Sequence, residues 1–301
     1  MARNIGIVGA GIAGLHLALY LQKHGVDATI ITDRPPDEYR NIRLLNTVAH
    51  HHVTIAREDY LGVNHWTDPK DHYYYHDHVF NFPQPLSFRG DFSKASRAVD
   101  YRLYLPALMQ DFLKRGGKIE YRRIEERDVR PLVARFDLLV VSTGKGPLGQ
   151  LFTYRPEHSP YQQPQRRLCV GLYTGVRQPD PMNVTLSVSP GHGEMIVIPT
   201  ITFGGIANAL LMENVPGGDM EELATLSYDD NPKHFLGCCS ASWRSITRRH
   251  MTASTLRVSI WRSRRISCKA AWSRPCATRW SSSTTANARS HSATSMPSSI
   301  P

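Results

Sequence analysis

The sequence predicts an α/β fold: a parallel-stranded unit of Rossmann type, an antiparallel β-sheet domain after it, and a tail without regular structure. Three observations predict it. The apolar run Ile5-Gly6-Ile7-Val8 leads straight into a glycine-rich turn and a helical pattern. Between Arg167 and Asn214 five β-like runs (LCVGLYTGV, MNVTLSVS, EMIVIPT, ITFGG, ANALLMEN) alternate with turn residues, the pattern of an antiparallel sheet. Beyond Leu236 both the helical and the strand periodicities disappear.

The elements follow in order. Ile5 to Val8 suits a strand buried on both faces. Leu15 to His24 carries Leu15, Ala18 and Leu19 at helical spacing, and Gly25 supplies the stop. Val26 to Thr32 is a second β-branched strand closing at Asp33, and Pro35-Pro36 breaks the chain into a loop. Residues 43–60 read as mixed. Residues 64–92, dense in His, Tyr, Phe and Pro, read as an irregular or β-rich insertion. Arg102 to Lys114 is a helix with Leu103, Ala107, Leu108 and Phe112 on one stripe, stopped by Gly116-Gly117. Lys118 to Arg122 and Phe136 to Ser142 are strands, and Met220 to Ser227 forms one more short helix.

At 301 residues the chain has ample length for a core, and 41% hydrophobic with 21% charged residues is ordinary for a soluble globular protein. It contains no run of about twenty apolar residues, so a transmembrane helix is excluded. Its first strand runs into glycines rather than an apolar leader, so no secretory signal is expected. Four of the five cysteines lie in the tail, none with zinc-ligand spacing, and a reducing, cytoplasmic location is the expectation. The net charge of +10 is misleading. Residues 237–301 hold ten Arg, one Lys and no acid, which leaves 25 basic against 26 acidic residues in the first 236, a net charge of −1. The basicity belongs to the tail, so it argues for no anionic partner of the body.

GIVGAGIAG places Gly9, Gly11 and Gly14 as G-x-G-x-x-G between a strand and a helix. The first glycine allows the tight turn, the second a close backbone approach to a pyrophosphate, and the third close helix–strand packing. The N–H groups of the following helix then face the phosphates. Asp33, about twenty residues on, suits a ribose hydroxyl. The loop alone does not separate FAD from NAD. A late apolar strand ending in Thr143-Gly144 favours FAD, because in flavoproteins of the p-hydroxybenzoate hydroxylase type such a strand returns the chain to the nucleotide.

The strings IGIVGAGIAGLHLALYL, TDRPPDEY, RLLNTVAH, SRAVDYRLYLP, DLLVVSTGK, LCVGLYTG, SPGHGEMIVIPT and YDDNPKHFL extend from Ile5 to about Phe235. Together they resemble the oxygenase component of styrene and indole monooxygenases, a two-component FAD-dependent epoxidase family. The resemblance implies a Rossmann-type FAD-binding domain over 1–145 with an irregular insertion at about 46–95, then a substrate-binding β-sheet domain over 146–236. It implies a separate flavin reductase that supplies FADH2, and O2 as co-substrate. An aryl alkene such as styrene or indole is epoxidised. Gly9, Gly11, Gly14, Asp33, Arg43, Asn46, Thr143 and Gly144 are then the FAD-binding residues, Arg43 towards phosphate and Asn46 near the isoalloxazine. Asn46, Tyr73, His76 and Ser96 are the expected wall between flavin and substrate. No membrane or nucleic-acid partner is implied, and a homodimer is left open. The plainer readings are a surface ion pair for Arg43 and core packing for Tyr73 and His76. An NAD(P)H-dependent aromatic hydroxylase, and a non-catalytic nucleotide-binding fragment with a basic tail that adheres to nucleic acid, are the competing functions.

His50-His51-His52 and the group His72, His76 and His78 invite a metal reading. Adjacent histidines of an extended chain point to opposite faces, and no Cys or acid joins them in the sequence, so no metal is expected. His192 in SPGHGE reads as part of a glycine-rich hairpin connection.

Residues 237–301 hold sixteen Ser, few Leu, Ile, Val or Phe and no acid, a composition unable to offset chain entropy by burial. With G/C-rich codons and the frame moved by one base, the stretch reads as balanced, periodic text ending in GDVHAIVDP. That string resembles the Gly-Asp motif with which flavin hydroxylases bind the ribityl and pyrophosphate region of FAD. A single-base frameshift near codons 236–238 is therefore expected, with impaired flavin binding as its consequence.

Overall fold

The computed structural model describes residues 3–45, 49–144, 146–153, 155–158, 160–161, 163–247, 257–258 and 270–271. Four parallel strands build the first sheet: β1 (Asn4–Val8), β2 (Asp27–Thr32), β6 (Lys118–Tyr121) and β7 (Leu138–Val141), in the order β6-β2-β1-β7. Helix α1 (Ile12–Lys23) makes the crossover from β1 to β2 and buries Gly14, Leu15, Ala18 and Leu19. That face meets Tyr104, Leu105, Leu108 and Phe112 of α3 (Tyr101–Lys114) in the core of this layer. The expected β1–α1–β2 unit and the α3 helix stand as read.

Helix α2 (His52–Leu61) forms within the stretch read as mixed. Its sequence, HVTIAREDYL, is polar, and only Glu58 and Leu61 are buried, so no apolar stripe advertises it. Helix α4 (Glu126–Arg135) was missed for the same reason: Leu132 is its only buried residue. The Glu125 N–H donates to Asp128 Oδ2 at 2.8 Å, capping its first turn.

Among the described residues the second sheet has nine strands. Its centre is the antiparallel set expected from the sequence: β8 (Arg167–Thr174), β9 (Met182–Ser189), β10 (Gly193–Thr202) and β11 (Gly205–Asn214), ordered β8-β11-β10-β9. The aromatic insertion is β-rich and regular. It forms the hairpin β4 (Tyr73–Phe80) and β5 (Leu86–Ala98), and β4 adds to the β9 edge in parallel while β5 continues to the two-residue β3 (Ala49–His50). Three strands that precede residue 145 therefore belong to the second sheet.

Helix α5 (Pro232–Thr247) lies against this sheet, burying Phe235 and Cys239 in a cluster with Tyr173, Met195, Leu210, Met212 and Leu223. The expectation that regular structure ends at Leu236 is corrected, since the helix continues through 237–247. Its continuation GCCSAS is built of small residues, and Cys239, Ser240 and Ser242 are small enough to be buried against the sheet. Beyond Thr247 the described residues are β12 (Arg257–Val258) and β13 (Ala270–Ala271), both paired with β8.

A buried carboxylate ties the two layers together. Glu58 of α2 is wholly inaccessible. It accepts from the Tyr104 hydroxyl at 2.7 Å, lies 2.8 Å from His50 Nδ1, and pairs with the buried Arg97 guanidinium of β5. His16 Nε2 of α1 stands 2.7 Å from the Tyr104 oxygen, which carries the chain of bonds to the first layer. Burial alone would raise the Glu58 pKa. Hydrogen bonds from His50 and Tyr104 and the Arg97 charge outweigh it and hold the carboxyl below its usual range. Beside it, Asp100 caps α3 by accepting from the Arg102 N–H at 2.9 Å and binds the Arg102 side chain through both oxygens.

Removing one member of a buried ion pair leaves the other uncompensated, at a cost of about 3–5 kcal/mol. Glu58→Gln should lower unfolding free energy by about that much, read from urea denaturation; an unchanged midpoint would contradict the network's role. Because the folded pKa lies below the unfolded one, this stabilisation is full above the unfolded Glu pKa of about 4.3 and is lost as pH falls through the folded value.

Candidate active site

The glycine loop sits at the C-terminal ends of β1 and β7, where open parallel sheets bind nucleotides. Gly9 has φ +110, and a Cβ there would lie 2.6 Å from the Ser142 carbonyl oxygen. A Cβ on Gly14 would lie 2.2 Å from the Gly9 oxygen. Protein packing thus requires both. Gly11 differs: its Cβ would meet nothing nearer than the Ser142 oxygen at 4.0 Å. No packing within the protein demands glycine there, whereas close approach of a phosphate does. Gly11 is also the N-cap of α1, with no side-chain cap for the N–H groups behind it.

Thr143 and Gly144 follow β7 beside this loop, and the Ser142 N–H donates to the Val8 oxygen at 2.7 Å. Among the described residues, Ser142 Oγ and Thr143 Oγ1 are buried without a hydrogen-bond partner. Two unsatisfied hydroxyls next to a glycine loop fit a polar ligand. Asp33 is exposed just beyond β2, next to the loop, since the Gly9 N–H bonds the Ile31 oxygen at 2.8 Å. The cleft lined by Asn4, Gln22, Asp27, Arg115 and Lys118 lies at the other end of these strands, away from the loop.

Arg43 is exposed and makes no ion pair among the described residues. Leu44 beside it packs on the second sheet's cluster of Tyr73, Val184, Ile198 and Ala209. Asn46 lies outside the described residues.

Tyr73, His76 and Ser96 do come together. Tyr73 and Ser96 are paired across β4 and β5. The Tyr73 and His76 rings stack at 6.3 Å between centroids. Two residues not expected complete the group: His51, whose Nδ1 is 2.9 Å from Ser96 Oγ, and Phe92, whose ring stands 4.6 Å from His76, 5.5 Å from His51 and 6.1 Å from Tyr73. Phe92 has the alternating spacing of a strand face with Ser96, a signal readable once the strand is recognised.

The histidine triplet splits as an extended chain should, His50 to Glu58 and His51 to Ser96, while His52 begins α2. The expectation that no acid joins it is corrected, because Glu58 arrives from the next helical turns. His192 lies in the turn between β9 and β10, as expected, with Nδ1 2.9 Å from an Asp219 carboxylate oxygen.

The group is held neutral. Burial lowers the pKa of His51, reinforced by His52 and His50. Burial, with His51 and His78 nearby, pushes His76 down to about 4. Burial also raises the Tyr73 phenol well above its ordinary value, and its hydroxyl has no partner among the described residues. Tyr73, His76 and Phe92 so form an uncharged, largely aromatic cluster.

These observations stand beside likeness to known proteins. Residues 144–251 match the family described as "Styrene monooxygenase A putative substrate binding domain". Two proteins called styrene monooxygenase StyA, from a Pseudomonas species and from Pseudomonas fluorescens, are each 52% identical over 236 residues, 78% of this chain and 57% of the relative. The chain thus spans little more than half the length of these relatives. Among solved structures, PqsL from Pseudomonas aeruginosa, described as "a probable FAD-dependent monooxygenase", is 14% identical with a TM-score of 0.53, over 83% of this chain and 72% of that one. The myxobacterial chondrochloren halogenase CndH is 13% identical with a TM-score of 0.54, over 80% and 58%. At such identities these two attest the fold.

A histidine whose folded pKa is about 4 should stay neutral through mild acid, and its ring resonances should titrate near that value. Since the unfolded value is about 6.5, His76 contributes stability that is present above pH 6.5 and fades as pH falls towards 4. Protonation of His76 near pH 6.5, followed by proton NMR, would contradict its burial in the aromatic cluster.

Proposed function

This chain belongs to the styrene monooxygenase family, and we propose that it is built as the oxygenase component of a two-component FAD-dependent monooxygenase that epoxidises aryl alkenes. The observation that supports this best is the pairing of a phosphate-admitting glycine loop with a neutral aromatic wall, Tyr73, His76 and Phe92, on the adjoining sheet.

Gly9, Gly11 and Gly14 with the α1 N-terminus would hold the FAD pyrophosphate, and Asp33 the ribose hydroxyls. The unpartnered hydroxyls of Ser142 and Thr143 are suited to the same ligand. Arg43 would meet phosphate, and Asn46 the isoalloxazine. Reduced FAD, delivered by a separate reductase, supplies the oxygen-transferring chemistry when bound. The wall's work is different. Its rings can take an aryl substrate edge-to-face, and its lack of charge favours exclusion of water. No proton-transferring group is required of it, which agrees with histidines kept neutral.

Activity is expected to be impaired. Residues 237–301 carry no acid, so the Asp of a Gly-Asp flavin motif is missing. One charged hydrogen bond is worth about 1.5–3 kcal/mol, a factor of about 10 to 150 in affinity. A one-base frameshift near codons 236–238 accounts for that loss, and a restored frame supplies the test.

Two experiments check the reading. Gly11→Ala should lower the thermal midpoint only slightly, because the new methyl meets nothing nearer than the Ser142 oxygen at 4.0 Å and only the N-cap preference is lost, yet weaken FAD binding by about tenfold or more. Equal FAD affinity in the variant would move the cofactor elsewhere. Epoxide formation from styrene and indole with reductase-supplied FADH2 should be strong in the frame-restored protein, whereas this chain should release mainly hydrogen peroxide. Product from neither protein overturns the proposed reaction; equal product from both overturns the impairment.

A further inference from the structure

Helix α5 and the 3-10 turn Glu221–Ala224 bring together three side chains that the glycine loop and the aromatic wall do not use. His234 and Cys238 stand four residues apart on α5, hence on one face. Glu222 faces them from the turn. His234 Nε2 lies 2.9 Å from Glu222 Oε1, and Cys238 Sγ lies 3.7 Å from Glu222 Oε2 and 3.9 Å from His234 Nε2. Every ligand atom lies within 4.8 Å of the others.

We infer that Glu222, His234 and Cys238 form a binding site for one borderline-soft divalent cation of the zinc class, with water completing the tetrahedron. The donor set is one sulfur, one imidazole nitrogen and one carboxylate oxygen, which suits zinc and is too soft for magnesium or calcium. Bonds of about 2.0–2.3 Å at tetrahedral angles set ligand atoms about 3.3–3.7 Å apart, close to the separations in the triad. Only small side-chain adjustments are needed, and Glu222 and His234 are exposed enough to make them.

The frame beneath the triad is rigid. Leu223 and Phe235, the sequence neighbours of Glu222 and His234, are buried in one apolar cluster, so turn and helix are fixed against each other. The His234 N–H also donates to Asn231 Oδ1 at 3.1 Å, securing the first turn of α5. Burial and the Glu222 carboxylate hold the Cys238 thiol protonated without metal. Binding would take the thiolate and release that proton to solvent. The sequence expectation of no metal rested on cysteine spacing and on the histidine-rich segments. The triad escapes both, since its acid and its sulfur come from elements twelve and four residues either side of one histidine.

The test uses the full chain with Cys268→Ser and Cys276→Ser, which removes the two other tail thiols outside α5. Co2+ is titrated first, then Zn2+ as competitor. One equivalent of Co2+ should give a thiolate-to-cobalt absorption band, which Zn2+ displaces, with about one proton released per metal bound. Cys238→Ser should abolish the band, and His234→Ala should weaken binding by about tenfold or more, while circular dichroism stays unchanged. Absence of the band, its persistence in Cys238→Ser, or full affinity in His234→Ala overturns the site. None of these readouts depends on FAD or on epoxidation, so failure here leaves the proposed function untouched.

Discussion

Everything in the site depends on one carboxylate that never meets water. Glu58 must find Tyr104, His50 and Arg97 together, from three separate segments, or stay buried and unpaired at a cost of several kcal/mol. His50 and Arg97 face one another across β3 and β5. Their chain neighbours, His51 and Ser96, therefore point to the other side of the same short ribbon, where they bond each other. The charged network on one face thus fixes the aromatic cluster on the other. Through Tyr104 and His16 it also reaches α1, so the cluster is set relative to the helix that opens at Gly11.

What could be read from the sequence was what is locally determined. The glycine loop, the helix after it and the return at Thr143-Gly144 follow from spacing within single βα units, because each glycine answers a steric demand a few residues away. In the antiparallel set, β9, β10 and β11 were legible because they pair in sequence order, while β8 joins them by pairing with β11. The aromatic hairpin was not, since β4 pairs with β9 more than a hundred residues later and no local pattern specifies a distant partner. Glu58 was invisible for a related reason: REDYL is what an exposed helix face looks like, and only tertiary contact shows Glu58 buried.

The candidate site divides in the same way. Tyr73, His76 and Ser96 came from resemblance, and their convergence is geometry that no spacing contains. His51 and Phe92 were missed because their role exists only once β3, β4 and β5 lie side by side. The tail boundary shows the opposite limit. Composition changes sharply after Leu236, yet small residues can prolong a helix for several turns on a surface that accepts them, so α5 does not respect the compositional break.

The parallel pairing of β4 with β9 also bears on how the polypeptide is made. Val184 cannot meet His76 until the ribosome has added more than a hundred further residues. Throughout that interval the hairpin offers an unpaired edge, together with the stacked rings of Phe80, Phe82 and Phe88. Such edges recruit other chains as readily as their own later strands. A product truncated before β9 would keep that adhesive edge permanently, so the length of this chain that survives translation governs its solubility before it governs any chemistry.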